Sequence, residues 1–229
     1  GIDKGRFHPA HRNRARLSDT YGIPADCPVI LFVGRVDATK NAMFAARLAR
    51  ALIDEGHDLR FLALGDGAEQ HAISDLLGPY AILPGPVAQE ELGWIYPSAD
   101  IFVFPSESDI TGNVVLEARA AGLPSLVADH PGPAQLIAHP GEDGFILPTG
   151  NAEAWLDVLR ALLSDGDLRR QLGNKANGAI AAQWPCWSDV VAQDLLPFWR
   201  QATLRSVATR IDATATDVTA PNAVARQAA

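Results

Sequence analysis

The 229-residue chain is poor in cysteine, methionine and lysine, with two, one and three of them. Cys27 and Cys186 lie too far apart in sequence for a disulfide framework or a metal-ligand spacing, and they fit a reducing compartment. Long apolar runs are missing too. Stretches such as 29–33 reach five residues, where a spanning helix needs roughly 20, so neither a membrane span nor a signal peptide is expected. Positive charge is in deficit, with 19 Lys and Arg against 27 Asp and Glu and a net charge of −8. That argues against nucleic acid as a partner. No G-x-G-x-x-G stands at a strand end, which disfavours a nicotinamide or flavin site. Walker A, H-E-x-x-H and G-x-S-x-G motifs are absent as well. The six histidines form no i, i+4 pair, so no metal is expected.

What is present is a globular balance, 48% hydrophobic and 20% charged. The length suits one large α/β domain or two small ones. Residues 1–20 carry Lys4, Arg6, His8, His11, Arg12, Arg14 and Arg16 around Pro9. They read as a solvated linker or, alternatively, as a basic patch for an anionic surface.

From Pro28 an alternation begins. The continuous apolar run 28–34 suits a strand buried on both faces. Residues 41–55 then show a helical period, with Phe44, Leu48, Ala51 and Leu52 on one side. Further strands are expected at 59–64, 81–83, 101–104, 124–128 and 144–147. Helices are expected at 68–77, 89–96 and 113–121, with a helical turn at 134–138. This is the rhythm of βαβ units, and it predicts a doubly wound, Rossmann-like parallel sheet of about six strands. Ligands of such sheets bind beyond the carboxyl ends of the strands. Residues 152–205 read as mostly helical, with Trp184, Trp187 and Trp199 clustered there, and 206–229 as a disordered tail.

Two loops at strand ends carry chemistry. After the first strand come Gly34, whose backbone can turn tightly against a ligand, Arg35, a fork of donors for phosphate oxygens, and Lys40. After 101–104 comes Asp109-Ile110-Thr111-Gly112-Asn113-Val114-Val115-Leu116-Glu117. Its helix start offers free N–H groups and a partial positive charge to phosphate. Asp109 and Glu117 flank that start, and a carboxylate suits a vicinal diol. The blander alternatives remain: a solvated Arg/Lys pair, Asp109 as a helix cap, and Glu117 as a solvated helix residue. Gly65-Asp66-Gly67 reads as a strand-to-helix turn, and His130 as a loop histidine or, alternatively, as one lining the crevice.

In this order the motifs resemble the C-terminal, donor-binding domain of a family 4 retaining glycosyltransferase of GT-B fold. The likeness runs through Phe7-His8-Pro9, Gly34-Arg35 with Lys40-Asn41, Leu64 to Gly67, the E-x7-E-like segment from Asp109 to Glu117, Ala120 to Pro124, and Trp187. It departs from the family pattern at Asp109, where glutamate is usual, at Thr111, and at 131–135.

The resemblance implies that Arg35 and Lys40 hold the diphosphate of a nucleotide-sugar donor. Backbone N–H groups around Gly112, Asn113, Val114 and Val115 would take phosphate and sugar oxygens. Asp109 would contact sugar hydroxyls, Glu117 would hold the ribose diol, and Pro86 and Val87 would seat the base. It implies hexose transfer with retention, without metal or cofactor, to a glycan or lipid acceptor, in the cytoplasm or at the inner membrane face. A preceding GT-B domain would carry the acceptor site, with 1–20 as the linker from it, 21–183 as the donor domain and 184–205 as a cross-over helix. A nucleotide-sugar 2-epimerase and a non-catalytic nucleotide-sugar-binding module remain alternatives.

Overall fold

Each stretch of apolar residues between the helices becomes a strand. The computed structural model describes residues 1–201. Its strands are β1 (Val29–Val33), β2 (Arg60–Leu64), β3 (Ala81–Gly85), β4 (Ile101–Phe104), β5 (Ser125–Ala128) and β6 (Phe145–Leu147). They form one sheet in the order β3-β2-β1-β4-β5-β6, and every pairing is parallel. Every residue of β1, β4 and β5 is buried, as sheets covered on both faces require. β3 is an edge strand, so Pro84 removes no essential ladder donor. Its register against β2 shifts between Leu62 and Leu64, just ahead of the Pro86-Val87 turn.

The helices are α1 (Arg14–Tyr21), α2 (Ala42–Asp54), α3 (Gln70–Leu77), α4 (Gln89–Ser98), α5 (Asn113–Ala120), α6 (Ala152–Ser164) and α7 (Gly166–Gln183). The buried stripe of α2 runs through Ala42, Ala45, Ala46, Ala49 and Leu52 as well as Leu48. Phe44 and Ala51, expected on that stripe, are only partly buried. Four small residues let the helix lie close to the sheet, which is why the largest residues do not mark its inner face.

The N-terminal segment corrects the sequence reading. Residues 1–20 are no solvated linker: Ile2, Phe7 and Leu17 are buried. Arg12 donates to the carbonyls of Pro97 and Ala99 at 2.8 and 2.7 Å, and Arg14 to that of Ser98 at 2.9 Å. These carbonyls end α4, where a helix leaves acceptors unpaired and carries partial negative charge. Both guanidiniums also pair with Asp100. Arg12 and Arg14 are thus consumed in docking the segment.

The chain divides into a unit of Ile2–Trp184 and a second made of Gly1 and the residues from Pro185 onward. In the second, α8 (Trp187–Val190) continues into a wider turn, Val191–Leu195. The expected tail at 206–229, and the end of the expected cross-over helix, lie outside the described residues. Among the described residues no helix is long and apolar enough to cross a membrane.

Candidate functional site

The strand order reverses direction between β1 and β4. The loops leaving their carboxyl ends part there, and ligands of doubly wound sheets sit in the resulting crevice. Both motif-bearing loops, Gly34–Asn41 and Pro105–Gly112, emerge at this point.

The first loop is laced to its neighbours by backbone. Gly34 N–H donates to the Leu64 carbonyl at 3.0 Å, Val36 N–H to that of Asp66 at 2.9 Å, and Gly65 N–H to that of Gly85 at 3.0 Å. Gly65 and Gly67 are required by this lacing. A Cβ at either would lie 1.9 Å from the Gly34 oxygen or 2.3 Å from the Val36 oxygen. The Gly-Asp-Gly turn is therefore a close-approach device between two loops.

Past Val36, Asp37 caps a short helical turn by accepting from the Thr39 and Lys40 amides. Asn41 then adopts a left-handed φ of 56°. Lys40 thus ends this turn instead of opening α2, and its ammonium is aimed across the crevice. It donates to Asp109 Oδ2 at 2.7 Å. A second bond, Ser108 Oγ to the Thr39 carbonyl at 2.6 Å, closes the two loops on each other.

Asp109 is used from both sides. Its Oδ2 takes Lys40, while its Oδ1 accepts the Gly112 and Thr111 amides at 2.8 and 3.2 Å. Burial pushes its pKa up, but the Lys40 bond and the Gly112 amide outweigh that, and the carboxyl stays below its ordinary value. Asp109 thus braces the turn ahead of α5, whose N-cap Gly112 has no side-chain cap bond, instead of capping the helix itself, and the same carboxylate meets Lys40 across the crevice. The expected set of phosphate donors narrows as a result. The Gly112 N–H is taken by Asp109, and that of Val115 turns inward to the Gly112 carbonyl at 2.8 Å. Asn113 and Val114 remain as the amides at the start of α5 without a partner among the described residues.

Arg35, Pro86 and Val87 line one cavity. It is lined also by Val33, Gly34, Leu64, Gly65, Asp66 and Leu92 and has a volume of about 520 Å³, within the usual size of small-molecule sites. The Arg35 side chain is 65% exposed and rests on Thr39 Oγ1 at 2.7 Å and Asp37 at 3.4 Å. A second cavity, of about 320 Å³, adjoins Asp109 and is lined also by Ser108, Ile110, His130, Pro131, Gly132 and Gln135. His130 is a loop residue, as expected, and it reaches this site.

Glu117 is set apart. Among the described residues no bond joins it to Arg35, Lys40 or Asp109. Instead the Tyr96 hydroxyl donates to its Oε2 at 2.9 Å. Burial raises its pKa, opposed by that bond and by the Arg6 charge. The reading of Glu117 as a solvated helix residue is therefore incorrect. Tyr96 and Ser108 were not singled out in the sequence, and Arg6 was read only as one charge of the 1–20 stretch. A tyrosine on the inner face of α4 looks like any core aromatic, and its polar tip gains meaning only from a helix that follows 17 residues later. Among the described residues no group of three or more His, Cys, Asp or Glu could hold a metal ion.

Comparison with known proteins gives this geometry a family. Residues 13–178 match the model of the glycosyl transferases group 1. The sulfoquinovosyl transferase SQD2 of Arabidopsis thaliana is 34% identical over 182 residues, 77% of this chain and 34% of that protein. The C-terminal domain of a glycosyl transferase group 1 protein (LpcC) from Francisella tularensis superposes with a TM-score of 0.69 at 22% identity, over 80% of this chain and 98% of that domain. Anabaena HepE, in complex with UDP-glucose, gives 0.70 at 18% identity over 80% and 52%. The chain spans about a third of the plant relative's length. By its matched residues and its six-stranded sheet, the chain belongs to the group 1 glycosyl transferases, with the fold of their C-terminal GT-B domain.

Proposed function

We propose that the chain is the donor-binding half of a transferase that moves a hexose from a nucleoside-diphosphate sugar to an acceptor with retention. The observation that carries the reading is the Lys40–Asp109 pair, set where the sheet order reverses, beside two amides at a helix start that have no partner among the described residues. An ammonium and free N–H groups suit a diphosphate, and an acid beside them suits sugar hydroxyls.

In this reading the base lies against Pro86 and Val87, in the cavity that Arg35 borders. The diphosphate takes the Asn113 and Val114 amides, Lys40, and an Arg35 swung from Thr39. The hexose enters the cavity beside Asp109, and Glu117 takes the ribose diol. As the bond from sugar to phosphate breaks, charge grows on the departing diphosphate. Fixed donors already aimed there stabilise it without reorganising. Lys40 gains a phosphate partner as Asp109 turns to the sugar, so one exchange prepares both ends of the donor. Retention, the absence of a metal, a glycan or lipid acceptor, a preceding acceptor domain and a cytoplasmic or inner-membrane setting follow from the family resemblance.

A thermal-shift screen against UDP-, GDP- and ADP-sugars tests the reading. A ligand bound only by the folded state at 100 times its Kd adds about 2.7 kcal/mol of apparent stability. One of the three is expected to raise Tm by several degrees. No shift with any of them at millimolar concentration sinks the proposal. The isolated chain is expected to bind donor yet transfer sugar slowly, because closure of a second domain on the sugar is part of the proposed mechanism.

A further inference from the structure

We infer that Tyr96 is a positioning residue: it holds Glu117 by one carboxylate oxygen so that the other is presented to the ribose diol. The inference rests on the nucleotide reading above and adds to it a residue outside the resemblance.

Tyr96 is completely buried near the end of α4. Phe7 meets its ring edge-on at 5.6 Å, and Phe102 packs against it at 5.8 Å. The first comes from the N-terminal segment and the second from β4, so the ring is clamped between two separate parts of the chain. Its hydroxyl is the one polar atom of the side chain, and it is spent on Glu117 Oε2 at 2.9 Å. Burial and the adjacent carboxylate hold the phenol protonated far above its ordinary range, so it stays a donor.

Glu117 Oε1 has no partner among the described residues, and it is not sealed from solvent. A carboxylate is planar, so fixing Oε2 fixes the direction of Oε1. A glutamate so held has already given up rotamer freedom that a free one would lose on binding. The groups facing the carboxylate are the Tyr96 hydroxyl from α4 and the Arg6 guanidinium from the N-terminal segment. Arg6 adds charge, and Tyr96 alone adds direction.

The test is calorimetric titration of the full chain with paired ligands, UDP against 2′-deoxy-UDP, with the GDP and ADP pairs alongside. The wild-type chain is expected to prefer the ribose form. Y96F, which keeps the ring and its packing, should shrink that preference by about three- to tenfold, the scale of one ordered side chain. Its affinity for inorganic pyrophosphate should not change. E117A should abolish the preference, and Y96F should then have no further effect in the E117A background. An unchanged ribose preference in Y96F overturns the inference, as does a Y96F loss of equal size with and without Glu117. Failure of the wild-type chain to bind any of the three diphosphates overturns the nucleotide reading itself, and the inference with it.

Discussion

Two ion pairs in this domain have the same length, 2.7 Å, and opposite characters. Lys40–Asp109 bridges the two crevice loops with side chains 17% and 18% exposed. Arg119–Asp143 ties α5 to the loop before β6 with side chains 0% and 3% exposed. The buried pair is braced by further bonds, although Arg119 Nε has no partner among the described residues. Arg119 also donates to the Asp143 main-chain oxygen, and Asp143 Oδ1 accepts the His139 amide at 3.0 Å. Burial pulls the Arg119 pKa down and Asp143 pulls it back. No other anion can reach that guanidinium. At the crevice, water and ligand can reach both partners, so an ammonium can trade an aspartate for a phosphate at small cost. Burial therefore decides whether an equal bond holds the fold or waits for a substrate.

The largest expected effect tests the buried half of this contrast. Arg119→Ala strands Asp143 without its cation, and breaking a buried pair costs about 3–5 kcal/mol. Urea unfolding should show that loss. Nucleotide-sugar affinity, measured where the variant is still folded, should stay near the wild-type value. A loss below about 1 kcal/mol would erase the distinction drawn between the two pairs.

Lys40→Ala comes next and should behave in reverse. A partly exposed pair contributes about 0–1 kcal/mol to stability, whereas a hydrogen bond to a charged group contributes about 1.5–3 kcal/mol to binding. Urea midpoints should move little, and nucleotide-sugar affinity should fall about tenfold or more. Equal affinity in the variant would leave Lys40 as a loop tie and nothing else.

The same contrast marks how far the sequence could be read. β4 was legible to the residue, and the other strands to within one or two. The apolar runs of β1 and β4 need no partner to be recognised, because burial on both faces leaves no polar position in them. The two crevice loops were found because glycine and charge follow strand ends. What could not be read was pairing at long range. Arg12 and Arg14 looked like linker charge until the carbonyls ending α4, some 85 residues on, accepted them. Tyr96 looked like core until Glu117 stood beside it. The Gly112 and Val115 amides looked free until Asp109 and the helix itself took them. Composition states how many donors a segment has, but only the fold states which of them are left for a ligand.

The smallest expected effect sets the two acids of the motif against each other. Asp109 titrates below its ordinary value, so its contribution to stability is complete at neutral pH and fades as pH falls below the usual carboxylate range. Glu117 is raised by burial, so the sign reverses. Its ionised form disfavours folding, a cost absent below the unfolded value of about 4.3 and complete above the folded one. Glu117→Gln keeps an oxygen for Tyr96 and removes the charge. The variant is therefore expected to melt about 1–3 °C higher than the wild type at pH 7, a gain on the scale of one kcal/mol or less for a domain of this size. As pH falls well below the unfolded value the two curves should converge, since the wild-type carboxyl is then protonated in both states. Nucleotide affinity should fall in the same variant, because the amide offers a weaker acceptor to the diol. A glutamate that costs stability while empty and repays it when a diol arrives belongs to the site; a Tm for Glu117→Gln at or below the wild-type value at pH 7 would return Glu117 to the scaffold, beside Arg119.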